Sequence, residues 1–268
     1  MKIAVLLSGE YRVFDICRPT MTFLDDPEVD VYISTWDTTH HNRPGINLSK
    51  YETVSEKQIS DILGRPSKIQ VESVSIQKTL PKQYNCMMIH RWKRGFQMIK
   101  DSNIEYDYVI ITRFDLFYNP ICSIDIKKNL QPYKDSLGSS WTHDGRLGDI
   151  FMISSYDKMS EFIDKLTLEK WIAGPEKDWH VWFYEFTSSV FSEIINYTDI
   201  HHTICRSISK LGDSFDQVLQ HHLDWRDIQL AEFLVQDPDG HKNIWSPEIR
   251  KTALDKWQSG YFDRYKSP

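Results

Sequence analysis

The sequence predicts an α/β fold with a mostly parallel sheet flanked by helices, on three observations. Strand-like and helix-like segments alternate through the first half, the pattern that builds a parallel sheet with helices on its faces. Tyr108–Thr112 is a continuous apolar run rich in β-branched residues, as in a strand covered on both faces. The chain is also large enough to bury a sizeable core: 268 residues, of which 40% are hydrophobic and 26% charged.

The elements follow in order. Lys2–Leu7 reads as a buried first strand, and Phe14–Leu24 as a short helix that carries Pro19. Asp30–Ser34 is a second strand. Glu56–Leu63 is a helix with its signals in place: Ser55 before it, Gln58 three residues on, and Gly64 after the last apolar residue. Ile69–Val74 is a third strand. Tyr84–Lys100 is a long helix, with Met88, Trp92, Phe96 and Ile99 at three-to-four spacing. Tyr108–Thr112 and Ile150–Ser154 complete the strands. After about residue 155 the alternation fades. Met159–Leu166, Asp178–Ile195 and Ser214–Leu223 read as helices, and Ile228–Val235 as strand or helix. Residues 1–155 are therefore expected to form an α/β half, and residues 156–268 a helical C-terminal elaboration of the same domain.

Composition narrows the function. Lys and Arg number 32 against 38 Asp and Glu, a net charge of −6, which argues against a nucleic-acid binder. The first apolar run, Ile3–Leu7, is far short of the roughly 20 residues that span a bilayer. Ser8, Gly9, Glu10 and Arg12 follow it at once, unlike a signal peptide. The cysteines Cys17, Cys86, Cys122 and Cys205 lack zinc spacing, so a reduced, cytoplasmic setting is expected.

In parallel sheets ligands bind at the carboxyl ends of the strands, so the residues leaving each strand carry the chemistry. The first strand leaves through Leu7-Ser8-Gly9-Glu10-Tyr11-Arg12, a small-residue turn that lets backbone N–H groups and a hydroxyl approach a ligand, with Arg12 placed to meet phosphate. It carries neither a dinucleotide-binding glycine pattern nor a P-loop. The second strand leaves through Trp36-Asp37, where Trp36 can stack on a base or sugar and Asp37 can take a hydroxyl. Tyr108–Thr112 delivers Arg113-Phe114-Asp115. Two opposite charges at the end of a buried strand face a cleft or cap the sheet as an ion pair; in a cleft, Asp115 can ligate a divalent metal and Arg113 can neutralise a diphosphate.

Gly148-Asp149 precedes the last strand and can present a carboxylate as a general base. Asp144-Gly145 reads as a plain turn, as does Asp237-Pro238-Asp239-Gly240. Glu176 and Asp178 suit the first turn of a helix. The pairs His40-His41, His201-His202 and His221-His222 have no metal-binding spacing. Trp171, Trp179, Trp182 and Trp225 can form a sugar platform or simply pack.

Taken in order, Lys2-Ile3-Ala4-Val5-Leu6-Leu7-Ser8-Gly9-Glu10-Tyr11-Arg12, Tyr32-Ile33-Ser34-Thr35-Trp36-Asp37, Tyr106-Asp107-Tyr108-Val109-Ile110-Ile111-Thr112-Arg113-Phe114-Asp115 and Gly148-Asp149-Ile150-Phe151 resemble the small GT-A-like, Rossmann-related glycosyltransferases of large DNA viruses, phages and bacteria. The resemblance covers roughly residues 1–155. It implies hexosyl or pentosyl transfer from a nucleotide-sugar donor, most often a uridine diphosphate sugar, to a hydroxyl of a glycan acceptor. It implies donor binding by Leu7, Ser8, Gly9, Arg12, Trp36, Asp37 and Arg113, and catalysis by Asp149 or, second, Asp178. It also implies a divalent metal, usually manganese, on an Asp-x-Asp motif. Arg113-Phe114-Asp115 departs from that motif at its first acid. Either Asp115 holds the metal alone, or Arg113 takes over neutralisation of the diphosphate. A carboxylate in line with the departing diphosphate inverts the anomeric carbon, and retention is equally compatible. If the source is viral, the implied setting is the host cytoplasm. The alternatives are a non-catalytic carbohydrate- or nucleotide-binding protein derived from such a fold, and a metal-dependent hydrolase, which the histidine spacing does not favour.

Overall fold

Four parallel strands of the first half form one side of the sheet. In the computed structural model, which describes residues 1–11, 14–38, 53–80, 84–118, 126–127, 130–140, 142–173, 178–196, 202–204, 220, 223–224, 227–228, 230–232, 234–235 and 247–265, these are β1 (Ile3–Ser8), β2 (Val29–Trp36), β3 (Lys68–Glu72) and β4 (Tyr108–Thr112). β1 pairs with β2 on one side and β4 on the other, and β2 pairs with β3, all in parallel. Their carboxyl ends consequently share one edge.

β5 (Leu116–Tyr118) leaves this sheet. Three further strands extend it: β6 (Leu137–Ser139), β9 (Met152–Ser155) and β10 (Ile194–Asn196), with β7 (Thr142–His143) and β8 (Arg146–Leu147) forming a hairpin before β9. β11 (His202–Ile204) pairs antiparallel with β5. The order is β10-β6-β9-β4-β1-β2-β3. β9 alone runs against the rest, antiparallel to both β4 and β6. Its beginning, and the loop that feeds it, therefore lie at the same edge as the carboxyl ends of β1, β2 and β4. The β7–β8 hairpin turns through Asp144 and Gly145 with φ of 49° and 70°, the positive values a two-residue hairpin needs.

The helices are α1 (Phe14–Cys17), α2 (Glu56–Leu63), α3 (Tyr84–Lys100), α4 (Tyr156–Lys165), α5 (Leu168–Ala173), α6 (Trp179–Ser188) and α7 (Pro247–Gln258). α2 has the expected bounds: Ser55 accepts a hydrogen bond from the Gln58 N–H, and Gly64 closes the helix at φ 71°. α3 packs across β1 and β2. Cys86, Ile89, Trp92, Phe96 and Ile99 meet Ala4 and Leu6 in a cluster that α4 and α6 extend with Phe162, Ile163 and Phe183. Ile3, Val5 and Leu7 are equally buried and by strand alternation face the other side.

Three expectations are corrected. The helix expected over Phe14–Leu24 is one α-turn followed by 3-10 turns at Arg18–Thr20 and Thr22–Asp25, because Pro19 supplies no N–H to continue the α pattern. The strand expected over Ile69–Val74 ends at Glu72, where Ser73 caps a 3-10 turn over Val74–Thr79. The helix expected over Asp178–Ile195 ends at Ser188; Ile194–Asn196 instead pairs with β6. His40, His41, Cys122, Trp225, Cys205, His201, His221, His222 and Asp237–Gly240 lie outside the described residues.

The chain divides into two compact units, residues 1–207 and 208–268. The first contains the whole sheet. In the second, α7 sets Ile249, Ala253, Leu254 and Trp257 against Leu230, Ala231 and Leu234, which are helical and not a strand. Lys256 there bridges the buried Asp224 and Asp227 at 3.3 and 2.6 Å. Among the described residues no helix is long and apolar enough to cross a membrane.

Candidate functional site

The edge shared by β1, β2, β4 and the start of β9 opens into a cleft of about 510 Å³, the solvent at its mouth included. Its walls are Ser8, Gly9 and Glu10 after β1, Trp36 at the end of β2, Met87, Met88, Arg91 and Trp92 from α3, Arg113 after β4, and Asp149 before β9.

Ser8 is the last residue of β1. Its Oγ is buried and has no hydrogen-bond partner among the described residues. An unsatisfied buried hydroxyl costs free energy unless a ligand or water completes it. Gly9 follows at φ 121°, and a Cβ built there meets nothing within 4 Å, so the chain leaves clear space over this turn. Its N–H, expected to reach a ligand, donates instead to the Ser34 carbonyl at 3.2 Å. Gly9 thus contributes clearance and not a donor. Arg12 lies outside the described residues, and Leu7 is buried within β1.

The Arg113-Phe114-Asp115 tripeptide divides its labour. Phe114 is buried against Phe14 and Tyr11, with ring centroids 5.3 and 5.7 Å away, and anchors the turn. Arg113 keeps 18% of its side chain exposed and lines the cleft. Asp115 is buried behind it, accepting from Arg113 Nε at 2.9 Å and Nη2 at 2.7 Å. This two-pronged grip fixes the plane of the guanidinium. The pair that was expected either to cap the sheet or to face a cleft does both.

Asp149 is held by its neighbours. Ser139 Oγ donates to the Gly148 carbonyl at 3.3 Å, and Thr112 Oγ1 donates to the Ile150 carbonyl at 3.4 Å. Asp149, between these two fixed peptides, lines the cleft, and its carboxylate has no hydrogen-bond or ion-pair partner among the described residues. A carboxylate so placed can accept a proton from a bound hydroxyl.

Arg91 is the residue that the sequence reading missed. Its side chain is wholly buried, yet it reaches the cleft from α3. The guanidinium carbon sits 4.1 Å from the centre of the Trp36 ring, Nη1 donates to the Thr35 carbonyl at 2.8 Å, and Nη2 pairs with Glu72 at the end of β3. Glu72 also binds His90 at 2.9 Å and Arg94 at 2.7 Å. Arg91 Nε has no partner among the described residues. Burial lowers its pKa to about 10, against the pull of Glu72 and with a small push from Arg94, so the group stays charged at neutral pH. Burial also works against ionised Glu72, but hydrogen bonds from His90 and Arg94 and the charge of Arg91 hold its pKa below the usual glutamate value.

Three of the residues nominated from sequence take other places. Trp36 reaches the cleft wall, but Arg91 covers its ring and His90 stacks 5.8 Å from it, so it seats a cation and is not a bare platform for a base. Asp37 does not line this cleft; its Oδ1 accepts from the Val74 N–H at 2.8 Å and ties the 3-10 turn to β2. Asp178 caps α6, accepting from the His180 N–H at 2.8 Å, and is likewise off the cleft. Trp179 and Trp182 stack on each other at 5.5 Å and on Phe183 and Phe186 in turn, which is packing.

The residues do not fit the divalent metal implied by the resemblance. Both oxygens of Asp115 are taken by Arg113, whose positive charge repels a cation at that spot by roughly 4 kcal/mol per unit charge at 4 Å and an effective dielectric of 20. Among the described residues no group of three or more His, Cys, Asp and Glu side chains could hold a metal ion.

No protein-family model matches the chain, and no curated protein matches it. Similar solved structures include the galactosyltransferase LgtC in complex with donor and acceptor sugar analogues (11% identity, 73% of this chain and 72% of that one, TM-score 0.38). Another is a glycosyltransferase involved in glycosylation of the major capsid of PBCV-1 (12%, 82% and 98%, TM-score 0.40). A third is an inositol-1-phosphate CTP transferase from T. maritima (8%, 82% and 96%, TM-score 0.39). Likenesses this distant give this chain neither a donor nor an acceptor.

Proposed function

We propose that this protein is a glycosyltransferase that moves a sugar from a nucleoside-diphosphate donor to a hydroxyl of a glycan acceptor. One observation carries the reading: one cleft at the carboxyl edge of a mostly parallel sheet joins a fixed guanidinium, Arg113, to a carboxylate, Asp149, that has no partner among the described residues. Glycosyl transfer needs both. The leaving diphosphate gathers negative charge as its bond to the anomeric carbon breaks, and a preorganised cation stabilises that charge without reorganising. The acceptor hydroxyl must shed its proton as it attacks, and Asp149 is placed to take it.

In this reading Ser8 Oγ and the open space over Gly9 admit the donor's diphosphate arm, and Arg113 meets its oxygens. The acceptor oxygen bonds to the anomeric carbon, the carbon–oxygen bond to the diphosphate breaks, and the electron pair leaves on the nucleoside diphosphate. Asp149 carries away the hydroxyl proton. The residues give no reason to favour a hydrolase: His90 and His180 are engaged with Glu72 and the Leu147 carbonyl, and among the described residues no group of three or more His, Cys, Asp and Glu could hold a metal ion.

The test is donor turnover. Incubated with uridine, guanosine, adenosine and cytidine diphosphate sugars, the protein is expected to release the matching nucleoside diphosphate slowly into water, and faster with a glycan acceptor. Binding without release from any donor, with or without acceptors, would leave a carbohydrate- or nucleotide-binding protein and overturn the transferase.

A further inference from the structure

Resting on that reading of the cleft, we infer that the donor's diphosphate is held by two guanidinium groups, Arg91 and Arg113, in place of a divalent cation, so that donor binding needs no metal. A diphosphate ester carries one negative charge on each phosphate. The cleft supplies two cations of matching chemistry, one from α3 and one from the end of β4. Planar guanidinium groups bind phosphate oxygens through paired N–H bonds, which a point charge cannot do.

Each guanidinium is braced from behind by a carboxylate, the buried Asp115 for Arg113 and the partly buried Glu72 for Arg91. Asp115 grips Arg113 on two nitrogens, and Glu72 takes one side of Arg91 while the Thr35 carbonyl and the Trp36 ring fix the rest. These contacts hold both groups in position before any ligand arrives. The donors left over point the same way. Arg91 Nε and Ser8 Oγ are buried at the cleft and have no partner among the described residues. A buried donor without an acceptor is costly, and an anion in the cleft would relieve both. The place where a metal would be held is meanwhile closed by the Asp115–Arg113 bond. During transfer the two cations would stabilise the departing nucleoside diphosphate as it takes the electron pair from the anomeric carbon.

The test is calorimetric titration of the full chain with UDP, GDP, ADP and CDP, once in excess EDTA and once in excess manganese chloride. The expected result is binding of at least one nucleoside diphosphate in EDTA with an affinity within about threefold of that in manganese. Arg113→Lys, which keeps the charge that Asp115 needs but loses the fork, is expected to weaken the diphosphate about tenfold and leave the parent nucleoside unchanged. Binding that appears only with manganese would overturn the two-guanidinium site while leaving the transferase standing. An absence of binding in both conditions would overturn both.

Discussion

Asp149 stands in the cleft without a partner among the described residues, so replacing it removes a charge and little else. Asp149→Asn is expected to leave donor affinity nearly intact and to lower turnover by about 10²–10⁴, the range general-base catalysis supplies. Unchanged turnover would take Asp149 out of the mechanism. Glu72 is the opposite case, a carboxylate held by Arg91, Arg94 and His90 and with a structural task. Glu72→Gln strands the buried Arg91 and is expected to destabilise the fold by about 3–5 kcal/mol. The sign of the pH effect follows from its lowered pKa. The stabilisation is fully present above the unfolded value of 4.5 and is lost as pH falls through the lower folded value. Melting temperature measured from pH 7 downwards should therefore drop less steeply for the variant than for the wild type. Parallel curves would contradict the assignment.

At the scale of elements, α3 carries both core and cleft, and its closeness to β1 rests on one residue. A Cβ on Gly95 would press into Leu6, with Cδ2 at 2.8 Å. Helix propensity alone favours Gly95→Ala by about 1 kcal/mol, but overpacking costs about 1–3 kcal/mol. The variant is expected to melt lower than the wild type, and a higher melting temperature would show that α3 stands further from β1. This helix also shows what the sequence could and could not tell. Its bounds, and those of α2 and β4, were legible because each carries a local mark, the three-to-four period in α3, the caps in α2 and the β-branched run in β4. Arg91 was not, because a charged residue among the bases His90, Lys93 and Arg94 carries no local mark of burial. Its place on the stripe 88, 91, 92, 95, 96, 99 was the available signal. β9 was legible as a strand but not as an antiparallel one, since direction depends on the β7–β8 hairpin that precedes it. Asp149 could be singled out from the sequence because a glycine and an acid before a strand are local marks, and it lines the cleft. The Trp36 platform failed because what covers that ring comes from a helix more than fifty residues on.

For the molecule as a whole, a net charge of −6 gives no hint of an anion site. Among the described residues Arg91 and Arg113 bring the positive charge to the cleft, and every one of those lining it belongs to the unit spanning residues 1–207. Five separate stretches meet there, which is why an anion in the cleft should stabilise that whole unit. The most direct measurement is a thermal-unfolding screen of nucleoside diphosphates and nucleotide sugars against the parent nucleosides. A ligand at 100 times its dissociation constant adds about 2.7 kcal/mol, or about 5–10 °C for a unit of this size. The expected result is such a shift for at least one nucleoside diphosphate and its sugar, absent for the nucleoside and much reduced by Arg113→Lys. A cooperative transition that none of these ligands moves would contradict the account.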